Sequence, residues 1–195
     1  MDAGPLHEVE AAVVRASVGR ATGTIIASKK RSQVEIDNPL MLTAYHEAGH
    51  AVMAQLCGQQ VTEVEIVGDD ELSGSVRSLR FAEEHGSEHD PSIPTAPIER
   101  RLLCTAAGMG AEAMVSGHRN WDEGSEDLDT AVRLAMQVVG DCERVLPFLE
   151  MVGDHIEDLL RGNWPAVEAL AAALLENQRL TGEEVRRLLA PLLPE

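Results

Sequence analysis

Residues 43–56 read TAYHEAGHAVMAQL, and this stretch sets the fold expected around it. From Leu42 the residues are strong helix formers, and Gly58 suits a C-terminal cap. His46 and His50 are four apart, so on a helix both imidazoles leave one face a turn apart and can reach a single ion. Glu47 is offset by about 100° around the axis. It can therefore meet a metal's water without being a ligand, as a general base does. Ala48 and Gly49 are small and leave room beside the metal and for a close partner helix, while Ala44, Ala51 and Val52 supply core contacts. A merely structural amphipathic helix would account for the apolar face but not for His-Glu-x-x-His. The spacing predicts one zinc ion held by His46 and His50, with Glu47 as the base.

A catalytic zinc needs a third protein ligand and one open position. The acidic cluster Asp122, Glu123, Glu126, Asp127 and Asp129 offers candidates. Asp127 shares a helical face with Ala131, Leu134 and Val138 and lies at the edge of that stripe, whereas Asp129 points further round. Spacing alone leaves Asp127 level with the rest of the cluster, whose simpler role is to stabilise a helix start. His85, His89 and Asp90 repeat a ligand-like spacing, but Gly86, Pro91 and Pro94 surround them, and a solvated loop is the better reading. No role is assigned to His7, His118 or His155.

Further out, VTEVEIV and SGSVRSL predict a small hairpin or ribbon. The polar, proline-containing stretch from Ala82 to Pro97 is expected to be an exposed loop, placed to act as a lid. Ile98, Leu102, Leu103, Ala106, Met109, Gly110 and Ala113 share one helical face, with Gly108 and Gly110 allowing another backbone close. Leu128, Ala131, Val132, Ala135, Val138 and Val139 mark another helix. Two or three more follow, one after Pro165 and one opened by a Thr181/Glu184 capping box. Residues 1–39 read as a partly helical or flexible lead-in, and 40–195 as one domain. The fold class is mainly α, with a small β-ribbon or sheet beside the active-site helix.

Composition narrows the partners. The chain has 195 residues, 44% hydrophobic but only 3% aromatic, so its core is expected to be aliphatic. Its net charge is -17, from 33 acidic against 16 basic residues, which argues against nucleic acid or an anionic membrane surface. No stretch approaches the ~20 apolar residues that cross a bilayer, and the acidic start lacks the features of a signal peptide. Direct membrane insertion is not expected, and the expected location is cytoplasmic. Cys57, Cys104 and Cys142 lack zinc-ribbon spacing and read as reduced core thiols, Cys57 included.

At TAYHEAGHAV the sequence resembles the peptidase domain of FtsH-type membrane proteases, zinc enzymes that carry an AAA ATPase module. VTEVEIV with SGSV looks like that family's strands beside the active site. AAGMGAEAMVSG is similar to its Gly-Ala-Glu helix, SEDLDTAVRLA to the segment supplying its third ligand, and NWPAVEALAAALLENQRLTGEEV to the end of its domain. The resemblance implies zinc ligation by His46, His50 and Asp127, with Glu47 as base. It also implies endopeptidase cleavage of unfolded or flexible protein segments laid along the edge strand near Val76. Met109 replaces a basic residue and Glu126 an amide of the family pattern, which bears on the surroundings of the ligands.

The sequence contains no Gly-x-x-x-x-Gly-Lys-Ser/Thr loop, so the expected activity is independent of ATP. A homo-oligomer and an ATPase partner in trans stay open. The alternative is a non-catalytic adaptor or regulatory module that keeps the metal site; the presence of Glu47 speaks against it, because a structural zinc needs no base.

Overall fold

Asn38 starts the first helix. Its side chain accepts a hydrogen bond from the Leu40 amide at 3.1 Å, and Pro39 fills the first turn, where its missing N–H is no loss. Helix α1 spans Pro39–Leu56. It opens earlier than the helix formers from Leu42 suggest, because Asn-Pro is itself a start signal. The chain leaves α1 through Cys57 and then Gly58, whose φ of 72° is the left-handed conformation that glycine adopts without strain.

The computed structural model describes residues 38–68, 74–76, 81–82, 92–117 and 125–193. His7 and the lead-in to residue 37, the centre of the expected lid with His85, His89 and Asp90, and also His118, Asp122 and Glu123 lie outside the described residues.

Helix α2, Pro97–Ser116, runs antiparallel to α1: Gly49 faces Ala107, while Cys57 faces Arg100. A β-carbon at Gly49 would come within 2.6 Å of both the Ala107 carbonyl oxygen and the Ala111 β-carbon. Gly49 is thus what lets the two helices meet backbone to backbone. The expectation that Gly108 and Gly110 serve this purpose needs correcting. Gly110 accommodates the Ile156 side chain, and Gly108 faces the side chains of His46 and His50.

Helix α3, Glu126–Val139, is opened by Ser125, whose hydroxyl accepts from the Leu128 amide at 3.3 Å. Helices α4 (Cys142–Gly162), α5 (Trp164–Asn177) and α6 (Gly182–Leu189) complete the helical part. The Thr181/Glu184 capping box forms as expected, with the Glu184 carboxylate accepting from the Thr181 amide at 2.8 Å. No described helix is long and apolar enough to cross a membrane.

The expected hairpin is β2 (Glu63–Gly68) with β3 (Gly74–Val76), antiparallel, Ile66 opposite Val76. Two pairings were not anticipated. Strand β5, Arg179–Thr181, joins the other edge of β2 with Val64 opposite Leu180, so the order is β3-β2-β5. Strand β1 (Gln60–Val61) pairs with β4 (Phe81–Ala82). Thr62 separates β1 from β2, which is why Val61 and Val64 are both buried although alternation would put them on opposite faces.

The core is aliphatic, as the composition implies. Its largest fully buried side chains include Met53, Ile66, Leu102, Met114, Leu128 and Leu160. Each contributes about 1.5–3 kcal/mol by leaving water. Tyr45 of α1 stacks on Trp164 at the start of α5, ring centroids 5.7 Å apart, and so ties the helix of His46 and His50 to the C-terminal part.

Candidate metal centre

Two helices bring three atoms to a common point. His46 and His50 of α1 turn their Nε2 atoms toward each other, 3.0 Å apart. Asp127, in the first turn of α3, places Oδ2 2.9 Å from the first and 3.1 Å from the second. The Ser125 cap orients that turn and so aims Asp127 at the histidines.

Helix α2 fixes the rings from behind. His46 Nδ1 lies 3.2 Å from Glu112 Oε2, and His50 Nδ1 lies 2.6 Å from the Cys104 carbonyl oxygen. Both partners are acceptors, so each Nδ1 carries the proton, and in the neutral rings each Nε2 is left with its lone pair facing the common point. Glu47 is 3% exposed, with Oε1 3.8 Å from His46 Nε2.

The charges follow from this crowding. Burial alone would lower the His46 pKa, but hydrogen bonds to Asp127 and Glu112 outweigh it and push the value up to about 10. Burial would raise Asp127, yet the two histidines hold it well below the usual carboxylate range. Burial raises Glu47 above its ordinary value, against the pull of His50 and His46. Without a metal, the point is therefore held together by a proton on His46.

The donor set fits zinc. Zn–N bonds of about 2.0–2.1 Å at tetrahedral angles place neighbouring ligand atoms about 3.3 Å apart, and the observed triangle has sides of 2.9, 3.0 and 3.1 Å. His46, Glu47 and His50 form a cluster able to hold an ion, their ligand atoms within 4.8 Å of one another. Of the two carboxylates at the point, Asp127 is the nearer to the imidazoles. Gly108 completes the cradle: a β-carbon there would collide with His50 Nε2 and lie 2.6 Å from His46 Nε2.

No family model matches the chain. Similarity to individual proteins is clear at low identity. An ATP-dependent zinc metalloprotease, FTSH 9, of Oryza sativa subsp. japonica is 28% identical over 183 residues, covering 80% of this chain and 23% of its own. The ATP-dependent zinc metalloprotease FtsH of Caldicellulosiruptor bescii is 26% identical over 217 residues, covering 94% and 34%. That of Haemophilus influenzae is 29% identical over 157 residues, covering 72% and 24%. The homologues of this chain are FtsH zinc metalloproteases. It spans about a quarter to a third of their length, so the likeness to FtsH is that of a partial domain.

Of the FtsH-like segments, the structure brings together His46, Glu47, His50 and Asp127, while Glu126 is exposed and Met109 is buried. Sequence reasoning missed Glu112, Gly108 and the Cys104 carbonyl. These three recur every four residues, a single stripe of α2, but the stripe has meaning only once α1 is known to lie against it.

Proposed function

We propose that this chain is a zinc metalloendopeptidase that cuts flexible or unfolded protein segments without needing ATP. The observation that carries the reading is the closed triangle of His46 Nε2, His50 Nε2 and Asp127 Oδ2 with the buried Glu47 carboxylate beside it. His46, His50 and Asp127 would hold the ion. Zinc, when bound, would supply Lewis acidity toward water and the scissile carbonyl. Glu47 takes the proton of the attacking water and passes it to the departing amine nitrogen. Glu112 and the Cys104 carbonyl keep the two imidazoles in the tautomer that this requires.

Strand β3 lies at an edge of the described three-stranded sheet. An extended substrate adding there would be held by main-chain hydrogen bonds, with little sequence selectivity. Hydrolysis of an exposed peptide bond runs downhill, so ATP would be required only to unfold a substrate.

The test uses casein as a loosely folded substrate, with wild type, Glu47→Gln and a chelated sample, each with and without ATP. Cleavage only by metal-loaded wild type, at the same rate with ATP, is the expected result. Equal cleavage by Glu47→Gln, or stoichiometric zinc without cleavage, would sink the peptidase reading; the second outcome would favour the adaptor.

A further inference from the structure

The candidate centre is closed on one side and open on the other. Its buried wall is Glu47 and His50, whose side chains are 4% and 9% exposed. Those of His46, Asp127 and Glu112 are 19%, 32% and 32% exposed. The way in therefore crosses the first turn of α3 and the Glu112 turn of α2. Around that opening, His46 holds Glu112 and both histidines hold Asp127. Glu126, one residue before Asp127, is exposed, and no hydrogen bond or ion pair engages it among the described residues. Asp129 is half-buried and turns further round the helix. The one guanidinium of α3, Arg133, lies two turns on and donates to Thr130 at 2.8 Å.

We propose that Glu126 is a specificity-determining residue that selects flexible segments with lysine or arginine one or two residues from the scissile bond. This rests on the peptidase reading above and names the substrate class that the same centre takes. Glu126 is one Cα step of about 3.8 Å from Asp127, and an extended substrate advances about 3.3 Å per residue. A long cationic side chain next to the reacting bond, or one position further, thus reaches the Glu126 carboxylate. That carboxylate gives up no existing partner to meet it.

The whole chain works in the same direction. With 33 acidic against 16 basic residues, its field draws basic segments in and turns acidic ones away. Glu126 adds a fixed point to that diffuse attraction, which is what converts steering into a positional preference. A carboxylate in the first turn of a helix also stabilises the helix start, but that role is indifferent to the sequence of a substrate.

The test maps the cuts that zinc-loaded wild type makes in casein by mass spectrometry, then remakes one cut site as peptides with lysine, norleucine or glutamate at the selected position. Ratios of kcat/KM are taken within one preparation, so that differences in zinc content between variants cancel. Lysine and arginine should be enriched within two residues of the cuts. The lysine-to-norleucine ratio should be about two- to fivefold, the range of an exposed ion pair. It should approach one in about 1 M salt, where charges are screened beyond about 3 Å. Glu126→Gln should bring the ratio close to one, and Glu126→Lys should favour the glutamate peptide. Glu183→Gln, which removes one exposed charge from α6, should leave the ratio as in wild type. Three results each overturn the inference while leaving the peptidase reading intact: Glu47-dependent cleavage with no basic preference, a preference that survives in Glu126→Lys, and an equal loss in Glu183→Gln. Failure of the zinc-loaded protein to cut casein overturns both.

Discussion

Gly108 of α2 stands against His50 of α1 so closely that a methyl group on its α-carbon would collide with the Nε2 atom proposed to bind zinc. The same methyl would lie 2.6 Å from Nε2 of His46. It would thus occupy the space where the two lone pairs meet. Alanine is otherwise at home in a helix and improves its intrinsic stability. Gly108→Ala should therefore keep its helical circular dichroism while losing stoichiometric zinc, as read by metal analysis after dialysis. Retention of zinc at wild-type affinity would show that the ion sits elsewhere.

Protons and zinc should compete at this centre. With the His46 pKa pushed up to about 10 against 6.5 in the unfolded chain, the metal-free fold holds a proton there that the unfolded chain gives up between those values. The stabilisation is complete below pH 6.5 and is lost as pH rises through about 10. Asp127 contributes the partner effect, lost as pH falls below its ordinary value, because its folded pKa is depressed. Zinc must displace the His46 proton, so it should bind more tightly at pH 9 than at pH 6.5. Zinc should also raise Tm more at the higher pH. Calorimetry in buffers of different ionisation enthalpy should register proton release on binding; a buffer-independent heat would contradict it.

How much of this was readable beforehand depended on whether the signal was local. His46, Glu47 and His50 lie on one helix, so their mutual placement follows from 3.6 residues per turn. Asp127 comes from another helix, and spacing could not separate it from its acidic neighbours; the FtsH resemblance singled it out. Strand β5 was missed because Arg-Leu-Thr, between a helix and a capping box, is too short to show alternation. Its pairing with β2 is a long-range contact that no local pattern encodes. Glu112 and Gly108 sit on a stripe crossing the apolar face chosen from hydrophobicity, so Glu112 drew no role and Gly108 read as a backbone contact until the partner helix was in place.

The close approach at Gly49 carries a stability cost if filled. A β-carbon there would press 2.6 Å from the Ala107 carbonyl oxygen and the Ala111 β-carbon, and backbone cannot yield as a side chain does. Overpacking of this kind costs about 1–3 kcal/mol, more than the gain of up to about 1 kcal/mol from replacing a helical glycine. Gly49→Ala should lower the urea midpoint. A midpoint equal to or above wild type would mean that the helices separate freely.

Glu112 tests whether the carboxylate behind His46 matters beyond packing. Glu112→Gln keeps the volume and an acceptor oxygen but removes the charge that supports the imidazole. Zinc affinity should fall by about ten- to a hundredfold, with the thermal midpoint of the zinc-saturated protein little changed. Glu112→Asp, which restores the charge on a shorter arm, should recover part of the loss. If Gln and Asp variants bind zinc as wild type does, the 3.2 Å contact with His46 is incidental.

Asp127 and Glu47 are two carboxylates at one point, and their proposed roles predict opposite defects. Asp127→Asn keeps the shape and the helix start but replaces a charged oxygen, 2.9 Å from one imidazole and 3.1 Å from the other, by a neutral amide. Zinc should be bound more weakly, and casein cleavage should return when excess zinc is supplied. Glu47→Gln should bind zinc normally and stay inactive at any zinc concentration, because the missing function is proton transfer and not coordination. A Glu47→Gln protein that loses zinc while Asp127→Asn keeps it would exchange the two assignments. That outcome would be intelligible, since Glu47 Oε1 is only 3.8 Å from His46 Nε2, and metal analysis of the two variants side by side is what decides between them.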